Sequence, residues 1–405
     1  MTEQVSALLS KYHQEHLLDH VDELSQCKRK QLFSQISGID WSFLESYKKK
    51  PEYPGDIQPL GALTLEKIMK RQEEYRKIGL ENIRAGKLCL LLLAGGQGSR
   101  LGYDRPKGCF NMGINRELSI FQLLMEHVMD VVKQADAWMH MYIMTSDSNY
   151  SDTVSFFKEH DFFGYQPDYL HFFVQEMNPV TDEQGKILMT SKSDLAMSPN
   201  GNGGWFRSMN RAGLLDGIFE SEIEWINVFS VDNVLQRIAD PVFLGATIDS
   251  GKMCGAKVVR KVSPDEKVGA ICTENGKPYI IEYYELSKEM ENQKNPDGSL
   301  AYGFGVILNY LFPISRLQET LHVSMPLHVV KKKVPYMDDM GILVNPTEPN
   351  ALKYETLALD LIHEMEDCLV FEIDRKREFA PVKNKMGVDS IDTARALLLE
   401  NGYDL

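Results

Sequence analysis

The sequence feature that most constrains the fold is the stretch 90–108, which reads LLLLAGGQGSRLGYDRPKG. Four consecutive leucines form a short apolar run that is typical of a strand buried on both faces. Gly95 and Gly96 follow at once, and glycine lets a backbone turn sharply and approach a ligand without a Cβ in the way. Arg100 and Lys107 then add two cations. The stretch predicts a strand that ends in a backbone cradle for a polyphosphate.

Two common nucleotide-binding motifs are excluded at this stretch. The dinucleotide pattern G-x-G-x-x-G is not met, because Gly102 comes one residue too late after Gly96 and Gly98. The P-loop is not met either, because Lys107 precedes Gly108 instead of following it. From the spacing alone, an ordinary glycine-rich turn followed by solvated cations stays open as an alternative.

Composition limits the classes of protein to which the chain belongs. Its 405 residues, 43% of them apolar, are enough for a large core and about two or three domains. A net charge of −14 without a long basic run argues against nucleic acid as a partner. The cysteines are widely spaced and read as reduced thiols. The polar N-terminus and the lack of an apolar run near about 18 residues predict a cytoplasmic protein with no membrane partner.

The order of patterns along the chain predicts an α/β fold. Residues 1–85 show helical spacing of apolar residues, and from residue 86 to about 330 strand-like and helix-like segments alternate. Such alternation is typical of a mixed, mainly parallel sheet. The C-terminal part predicts a small α/β segment with a strand at Cys368–Ile373 and an amphipathic helix at Tyr354–Met365. Ligands bind such sheets beyond the carboxyl ends of the strands.

Polar residues that directly follow strand-like runs are therefore the candidate ligand-binding residues. Gln175 follows an apolar run, and its amide suits the edge of a uracil ring because it both donates and accepts. Gly201 and Asn202 lie in a second glycine-rich loop. Asp232 ends another strand-like run and offers a hard oxygen ligand for Mg²⁺. Taken singly, each of these residues is also compatible with an ordinary loop or turn.

A predicted hairpin contributes two more candidates. Asn275-Gly276 between two apolar runs is a strong signal for a type I′ β-turn. Gly269 opens the first strand of this hairpin, and Glu282 lies late in the second. As an alternative, Glu282 belongs to the polar face of an edge strand.

These motifs together resemble a known family. The run A-G-G-Q-G-S-R-L-G followed by P-K-G resembles the signature of the UDP-sugar pyrophosphorylases. The form with Gln97 and Arg100 is similar to their UDP-N-acetylhexosamine branch, the eukaryotic UDP-N-acetylglucosamine pyrophosphorylases. The resemblance continues in order from about Leu90 to Asn384, through F-F-x-Q-x-M-x-P, the loop around Gly201 and the V-D-N motif.

The resemblance implies roles for individual residues. Its catalytic residues would be Arg100, Lys107 and Lys383, which hold the phosphates. Asp232 would be the ligand of Mg²⁺, with Mn²⁺ as the alternative ion. The substrate-binding residues would be Gly95 and Gly96 at the phosphates, Gln175 and Gly201 at the uracil, Asn202, Gly269 and Glu282 at the sugar, and Lys353 near the phosphates.

The resemblance also implies a domain organisation. We expect an N-terminal helical segment at 1–85, a Rossmann-like nucleotidyltransferase domain at 86–330, and a C-terminal segment at 331–405 that completes the active site. Many relatives continue into a further β-domain for which this chain has no residues, and we therefore expect a monomer. Two positions depart from the family pattern: Asn200 replaces the more usual aspartate, and Val306 replaces an asparagine expected at the sugar.

The implied reaction is nucleotidyl transfer. UTP and N-acetylglucosamine 1-phosphate would give UDP-N-acetylglucosamine and pyrophosphate. Val306 keeps open glucose 1-phosphate or a broad range of sugar phosphates as the substrate. A non-catalytic UDP-sugar-binding protein is a further alternative, but a binder has no use for Arg100, Lys107 and Asp232 together around a leaving group.

Overall fold

The computed structural model describes residues 2–41, 43–44, 55–323 and 325–405. The chain divides into two compact units that each combine non-contiguous segments. Unit 1 contains Met1–Tyr53, Glu176–Gly204 and Met325–Leu357, and unit 2 contains Pro54–Gln175, Trp205–Ser324 and Ala358–Leu405. The sequence-based division at residues 85 and 330 follows chain order and stays a prediction.

The strands are numbered in chain order. They are β1 (Ile57–Pro59), β2 (Leu88–Leu93), β3 (Met141–Thr145), β4 (Leu170–Val174), β5 (Met177–Pro179), β6 (Met189–Ser191), β7 (Asp194–Leu195), β8 (Met197–Pro199), β9 (Trp225–Ser230), β10 (Cys254–Arg260), β11 (Ala270–Glu274), β12 (Lys277–Ile281), β13 (Phe304–Pro313), β14 (His328–Lys332), β15 (Tyr336–Met337), β16 (Leu343–Val344), β17 (Ala351–Glu355) and β18 (Cys368–Glu372).

The α-helices of the described residues range from one turn to four. They are Thr2–Tyr12, Gln26–Ser37, Leu65–Lys70, Gln72–Arg84, Ile120–Ala135, Tyr150–Glu159, Trp205–Arg211, Leu215–Phe219, Pro241–Ser250, Lys288–Asn292, Ile314–Thr320, Asp360–His363, Arg375–Glu378 and Ile391–Glu400. Among these described elements, no helix has the length and apolar character that crossing a bilayer requires.

Unit 2 is built on a ten-stranded mixed sheet, which confirms the predicted α/β class. Strands β9, β2, β3 and β4 lie side by side and run parallel. Every residue of β2 is buried, as the leucine run predicts for a strand covered on both faces. The core of the unit lies between this sheet and helices such as Ile120–Ala135, which begins where the Ser119 side chain accepts a hydrogen bond from the Gln122 amide.

Two local predictions in unit 2 are confirmed. Strands β11 and β12 form an antiparallel hairpin, and Asn275 and Gly276 both have positive φ, as a type I′ turn requires. The predicted C-terminal strand is β18, which runs parallel to β10. Because β2 and β9 are parallel neighbours, the loops that follow them, at Ala94 and at Val231, emerge at the same end of the sheet.

Unit 1 contains the first helices of the chain and four small two-stranded sheets. Its core packs Leu9, Leu32 and Phe33 with Tyr354, which is fully buried. The predicted helix at Tyr354–Met365 is wrong at its start, because residues 351–355 pair with β14 as a strand. Pairing along a strand and burial of Tyr354 override the helical spacing, and across 354–365 only Asp360–His363 is helical.

Candidate active site

The glycine-rich loop after β2 folds back on itself. The Lys107 amide donates to the Gly96 carbonyl at 3.1 Å, and the Gly98 amide donates to the Arg105 carbonyl at 3.0 Å. Asn149, which sequence reasoning missed, fixes the start of the loop by donating from Nδ2 to the Ala94 carbonyl at 3.0 Å. These contacts return Lys107 to the end of β2. The predicted cradle and its lysine are thus brought together.

The two cations of this loop that were predicted to hold phosphates have different environments. Lys107 is buried, with only 8% of its surface exposed, whereas Arg100 is exposed. Lys107 Nζ lies 3.9 Å from Asp232 Oδ2. Burial lowers the pKa of Lys107 below its usual value, and the attraction of Asp232 opposes that shift. Lys107 is therefore a fixed, poorly hydrated cation beside a carboxylate.

Asp232 follows the strand β9 as predicted and is held from two sides. The Ser230 hydroxyl donates to Asp232 Oδ1 at 2.6 Å, and the Val382 amide donates to the Asp232 carbonyl at 2.7 Å. Burial alone would raise the pKa of the Asp232 carboxyl. The positive charges of Lys107 and Lys383, with the Ser230 hydroxyl, outweigh burial, and the net pKa is lowered. Asp232 is therefore held as a carboxylate.

Lys383 reaches the same place from the C-terminal part of unit 2. Its backbone follows Val382, which is bonded to Asp232, and its amide donates to the Asp389 carbonyl at 2.7 Å. Lys383 Nζ lies 3.2 Å from Asp389 Oδ2. Asp389 was not identified from the sequence, because a lone aspartate in a polar loop carries no signal there. It limits the positions that the Lys383 amine takes.

A cavity of about 290 Å³ in unit 2 collects five of the residues singled out in the sequence. It is lined by residues that are distant in the chain: Asp232, Gly269, Glu282, Val306 and Lys383. The volume is near the lower end of the range for small-molecule sites, about 300–1,000 Å³. The convergence of a carboxylate, a lysine and a polar hairpin end on one cavity is what a phosphate-bearing sugar requires.

Part of the cavity lining comes from the start of β13 and from residues next to the hairpin. The Val306 amide donates to the Gly269 carbonyl at 2.9 Å, so the two residues are fixed to each other through their backbones. Glu282 Oε2 lies 3.6 Å from the position that a Cβ on Gly269 would take. The lining residues that were missed from the sequence include Lys267, Tyr283 and Leu308. Leu308 has a φ of 53°, a strained conformation for leucine.

Gln175 directly follows β4, as predicted, and its side chain lies against Gly95 of the glycine loop. The backbone amide of Gln175 donates to the Thr145 carbonyl at 2.8 Å, and the residue is buried. Gln175 Oε1 would lie 2.4 Å from a Cβ on Gly95, so alanine at that position would displace the glutamine side chain. Gly96, in contrast, faces open space.

The remaining predicted residues belong to unit 1. Gly201 has a φ of 86°, and a Cβ there would lie 2.2 Å from the Thr356 carbonyl oxygen, so only glycine fits. The Thr356 amide donates to the Asn200 carbonyl at 2.8 Å. The loop that carries Gly201 and Asn202 therefore packs beside the end of β17, the strand that carries Lys353.

The fit of a divalent cation can be tested at Asp232. No group of three or more potential metal-ligating side chains occurs among residues 2–41, 43–44, 55–323 and 325–405. Mg²⁺ does not need such a group, since it is usually bound by one or two carboxylates together with substrate phosphates and waters. Asp232 is ionised, has Oδ1 engaged by Ser230, and lines the cavity beside Lys383. The residue present fits a Mg²⁺ site that a phosphate completes.

Comparison with known proteins gives one consistent result. The sequence profile of the family described as "UTP--glucose-1-phosphate uridylyltransferase" matches residues 34–398. The UDP-N-acetylglucosamine pyrophosphorylase of Saccharomyces cerevisiae is 36% identical, over 97% of this chain and 86% of the relative. The mouse UDP-N-acetylhexosamine pyrophosphorylase-like protein 1 is 34% identical, over 98% of this chain and 84% of the relative.

Solved structures show the same likeness. The crystal structure of the uridine diphosphate N-acetylglucosamine pyrophosphorylase from Trypanosoma brucei matches with a TM-score of 0.84 and 26% identity, over 97% of this chain and 83% of that chain. A UDP-glucose pyrophosphorylase from Leishmania major matches with a TM-score of 0.67 and 18% identity, over 94% of this chain and 78% of that chain, and shares the fold.

Proposed function

The chain belongs to the UTP–glucose-1-phosphate uridylyltransferase family, and on that premise we propose that it transfers the uridylyl group of UTP to N-acetylglucosamine 1-phosphate. The products are UDP-N-acetylglucosamine and pyrophosphate, which makes the chain an enzyme of amino-sugar metabolism. The choice of sugar is supported by the 36% identity with the yeast UDP-N-acetylglucosamine pyrophosphorylase over 97% of this chain.

The observation that carries the proposal is the unit 2 cavity that is lined by Asp232, Lys383 and Glu282. The Lys383 amine suits the phosphates, and the Glu282 carboxylate suits sugar hydroxyls as a hydrogen-bond acceptor. Lys107 Nζ lies 3.9 Å from Asp232 Oδ2, which adds a second cation from the glycine loop. Together these groups suit a nucleoside triphosphate whose phosphates meet a sugar phosphate.

The reaction needs positioning and charge more than acid–base chemistry. An oxygen of the sugar phosphate attacks the α-phosphorus of UTP; a new P–O bond forms as the bond to pyrophosphate breaks. No general base is required, because the attacking phosphate monoester is already anionic at neutral pH. Lys107, Arg100 and Lys383 would stabilise the charge that moves onto the departing pyrophosphate. A Mg²⁺ held by Asp232 would, when bound, neutralise phosphoryl charge.

The substrate-binding roles extend the proposal to the other predicted residues. In unit 2, Gly95 and Gly96 would present backbone amides to the phosphates, and Gln175 would read the uracil edge. In unit 1, Gly201 and Asn202 would contact the uracil and the sugar. Lys353 would add positive charge near the phosphates.

The assay is pyrophosphate release from UTP with Mg²⁺, run in parallel with N-acetylglucosamine 1-phosphate and glucose 1-phosphate. We expect release with the first sugar phosphate and much less with the second. Equal release with both, or release with glucose 1-phosphate alone, would keep the reaction and overturn the sugar. No release with either would overturn the enzyme and favour a UDP-sugar-binding protein, which equilibrium binding of the UDP-sugar would then detect.

The proposal includes a cytoplasmic location and a monomeric state. The six cysteines are free, which supports a reducing compartment. Nucleic acid and membrane partners are not part of it, since the net charge of −14 repels polyanions. Light scattering of the purified protein tests the monomer, and fractionation of cells tests the location.

A further inference from the structure

Unit 2 contains a second cavity, of about 440 Å³, which shares no lining residue with the candidate active-site cavity. It lies between the helices Gln72–Arg84 and Ile120–Ala135, the segment 235–242 and the C-terminal residues Asn401 and Tyr403. Its volume falls within the range of small-molecule sites, about 300–1,000 Å³. None of its residues has a role in the proposed reaction.

Three arginines face this cavity: Arg76, Arg237 and Arg377. Arg76 donates to the Gln134 amide oxygen, and Arg377 donates to the Asn401 amide oxygen at 3.4 Å. Within the described part of the chain, neither of these two arginines forms an ion pair. Their charge is therefore available to an anion, in a protein whose net charge is −14.

The acidic residues of the cavity do not cancel this charge. Asp240 is paired with the buried Lys257 at 2.8 Å, and Asp130 lies 3.9 Å from Lys133. Arg237 Nε lies 3.7 Å from Glu378 Oε1, but Lys257 also contacts that carboxylate, at 2.8 Å from Oε2. The cavity therefore presents planar guanidinium groups in excess of carboxylate, and guanidinium groups bind phosphate oxygens through paired hydrogen bonds.

One wall is fixed by a half-buried histidine. His127 Nδ1 lies 2.9 Å from the Gln236 carbonyl, which only accepts, so Nδ1 carries the proton. His127 Nε2 then accepts from the Tyr403 hydroxyl at 2.6 Å. Burial lowers the pKa of His127, in keeping with a neutral ring. The arginines, and not the histidine, supply the charge of the cavity.

A single segment, residues 232–242, lines both cavities. Asp232 and Asn233 face the candidate active site, and Arg237 faces the second cavity. Asn233 Nδ2 donates to the Glu378 carbonyl at 2.8 Å, and the Glu378 side chain is the group that Arg237 faces. Glu378 thus contacts Arg237 through its side chain and Asn233 through its backbone carbonyl, so one residue links the second cavity to the neighbour of Asp232.

We propose that the second cavity binds the phosphate group of a small phosphorylated metabolite, and that its occupancy changes the affinity of the candidate active site for UTP through residues 232–242. The arginines take the phosphate, and the cavity has room for a few carbons and hydroxyls beyond it. The coupling is reciprocal, so UTP changes the affinity of the second cavity by the same factor.

The binding test uses inorganic phosphate and glucose 6-phosphate as probes in isothermal titration. The Lys107→Gln variant removes a phosphate contact of the candidate active site. We expect this variant still to bind one probe molecule, in the second cavity. The double variant Arg76→Gln/Arg377→Gln should weaken that event at least about tenfold, the effect of losing charge-assisted hydrogen bonds. Tighter binding of glucose 6-phosphate identifies a phosphate ester as the ligand, and equal binding identifies free phosphate.

Matched variants separate the cavity from general charge effects. Lys77→Gln/Lys376→Gln removes the same charge from the same two helices at exposed positions that do not line the cavity. Gln134→Glu keeps all arginines but places a carboxylate beside Arg76. It should weaken phosphate binding as the Arg76→Gln/Arg377→Gln variant does. Three outcomes would overturn the site. Phosphate binding could be unchanged in Arg76→Gln/Arg377→Gln, or it could fall equally in Lys77→Gln/Lys376→Gln. The third outcome is that neither probe binds to Lys107→Gln.

The coupling test measures the Kd of UTP with and without each probe. A probe that competes with UTP directly at the candidate active site still does so in the Arg76→Gln/Arg377→Gln variant. The change in the Kd of UTP in that variant therefore serves as the baseline for the wild-type protein. We expect the wild-type protein to show a further change of at least about fivefold, the lower limit of typical coupling. An identical response in both proteins would overturn the coupling. Because the readout is UTP binding, it does not depend on which sugar the enzyme uses.

Discussion

Lys257 is the residue whose replacement tests the architecture of the site most directly. It lies in β10 with no exposed surface, and its amine contacts Asp240 Oδ2 and Glu378 Oε2, each at 2.8 Å. Asp240 and Glu378 flank the segment that carries Asp232, the first along the chain and the second through its hydrogen bond with Asn233. The perturbation is Lys257→Met, which keeps the length of the side chain and removes its charge.

The expected loss is about 3–5 kcal/mol of unfolding free energy at neutral pH. That is the cost of leaving a buried charge without its partner, and here two carboxylates lose the same one. Asp240 and Glu378 side chains are 6% and 7% exposed, so water replaces little of the lost interaction. Arg237, at 3.7 Å from Glu378, compensates one carboxylate in part and keeps the loss within this range.

The loss should depend on pH in a defined direction. In the wild-type protein, burial acts to raise the pKa of Asp240, but Lys257 outweighs it and the pKa is lowered. Asp240 therefore stabilises the protein above its unfolded pKa of about 3.9, and that stability is lost only as the pH falls through the lower folded value. In Lys257→Met the burial effect, which is the largest cause, is opposed only by Arg237 and the Val242 amide, so we expect the folded pKa of Asp240 to rise above the unfolded value of about 3.9. The variant then regains stability as the pH falls from neutral toward about 4.

The assay is urea denaturation at pH 7.5 and pH 5, with hydrogen exchange of β10 to report on unit 2. A matched control is Lys252→Met, which removes a partly exposed partner of Asp367 and should cost no more than about 1 kcal/mol. Lys257→Met/Asp240→Asn should recover part of the loss, since one buried charge is removed with its partner. A loss below about 1 kcal/mol, or one that grows on acidification, would refute this account of the buried pair.

Four further predictions concern the site. Lys107→Met should lower turnover by about 10²–10³, measured by pyrophosphate release. The control Lys87→Met removes a lysine that pairs with the exposed Glu224 and lines neither cavity, and it should lower turnover by less than about threefold. Gly201→Ala should cost about 1–3 kcal/mol in thermal denaturation, because φ is 86° and Thr356 blocks the methyl group; an unchanged melting temperature would contradict this. Val306→Asn should lower the KM for N-acetylglucosamine 1-phosphate by up to about tenfold, a typical hydrogen-bond contribution. Chelation by EDTA should abolish release, and added Mg²⁺ or Mn²⁺ should restore it; activity that survives chelation would exclude the metal.

Sequence patterns predicted the local structure well where one pattern had one physical cause. Leu90–Leu93 is buried on both faces because a continuous apolar run leaves no polar face to expose. Asn275-Gly276 turns as a hairpin because both residues tolerate positive φ. The helix predicted at Tyr354–Met365 failed because its spacing also suits a strand, and pairing with β14 decided between them.

The chemistry of the site was only partly accessible from sequence. Asp232 and Lys383 were identified through a resemblance, but spacing could not show that they line one cavity. Lys257 was missed although its signal was present: a single lysine within the apolar strand Cys254–Arg260 predicts a buried charge that needs a partner. Its partners lie 17 and 121 residues away, and no local pattern connects them.

The departure at Val306 bears on specificity and not on the architecture of the cavity. The backbone amide of Val306 donates to the Gly269 carbonyl, a contact that does not depend on the side chain, so the wall of the cavity is held as it would be by asparagine. What valine removes is one side-chain hydrogen bond, worth about 0.5–1.5 kcal/mol or up to roughly tenfold in affinity. That is far less than the contribution of a fixed charge such as Lys107 to phosphoryl transfer, about 10²–10³ in rate. The fold and the charged residues around Asp232 can therefore retain the reaction while the residues around Val306 change the preference for the sugar. This is why the two sugar phosphates have to be compared in one assay.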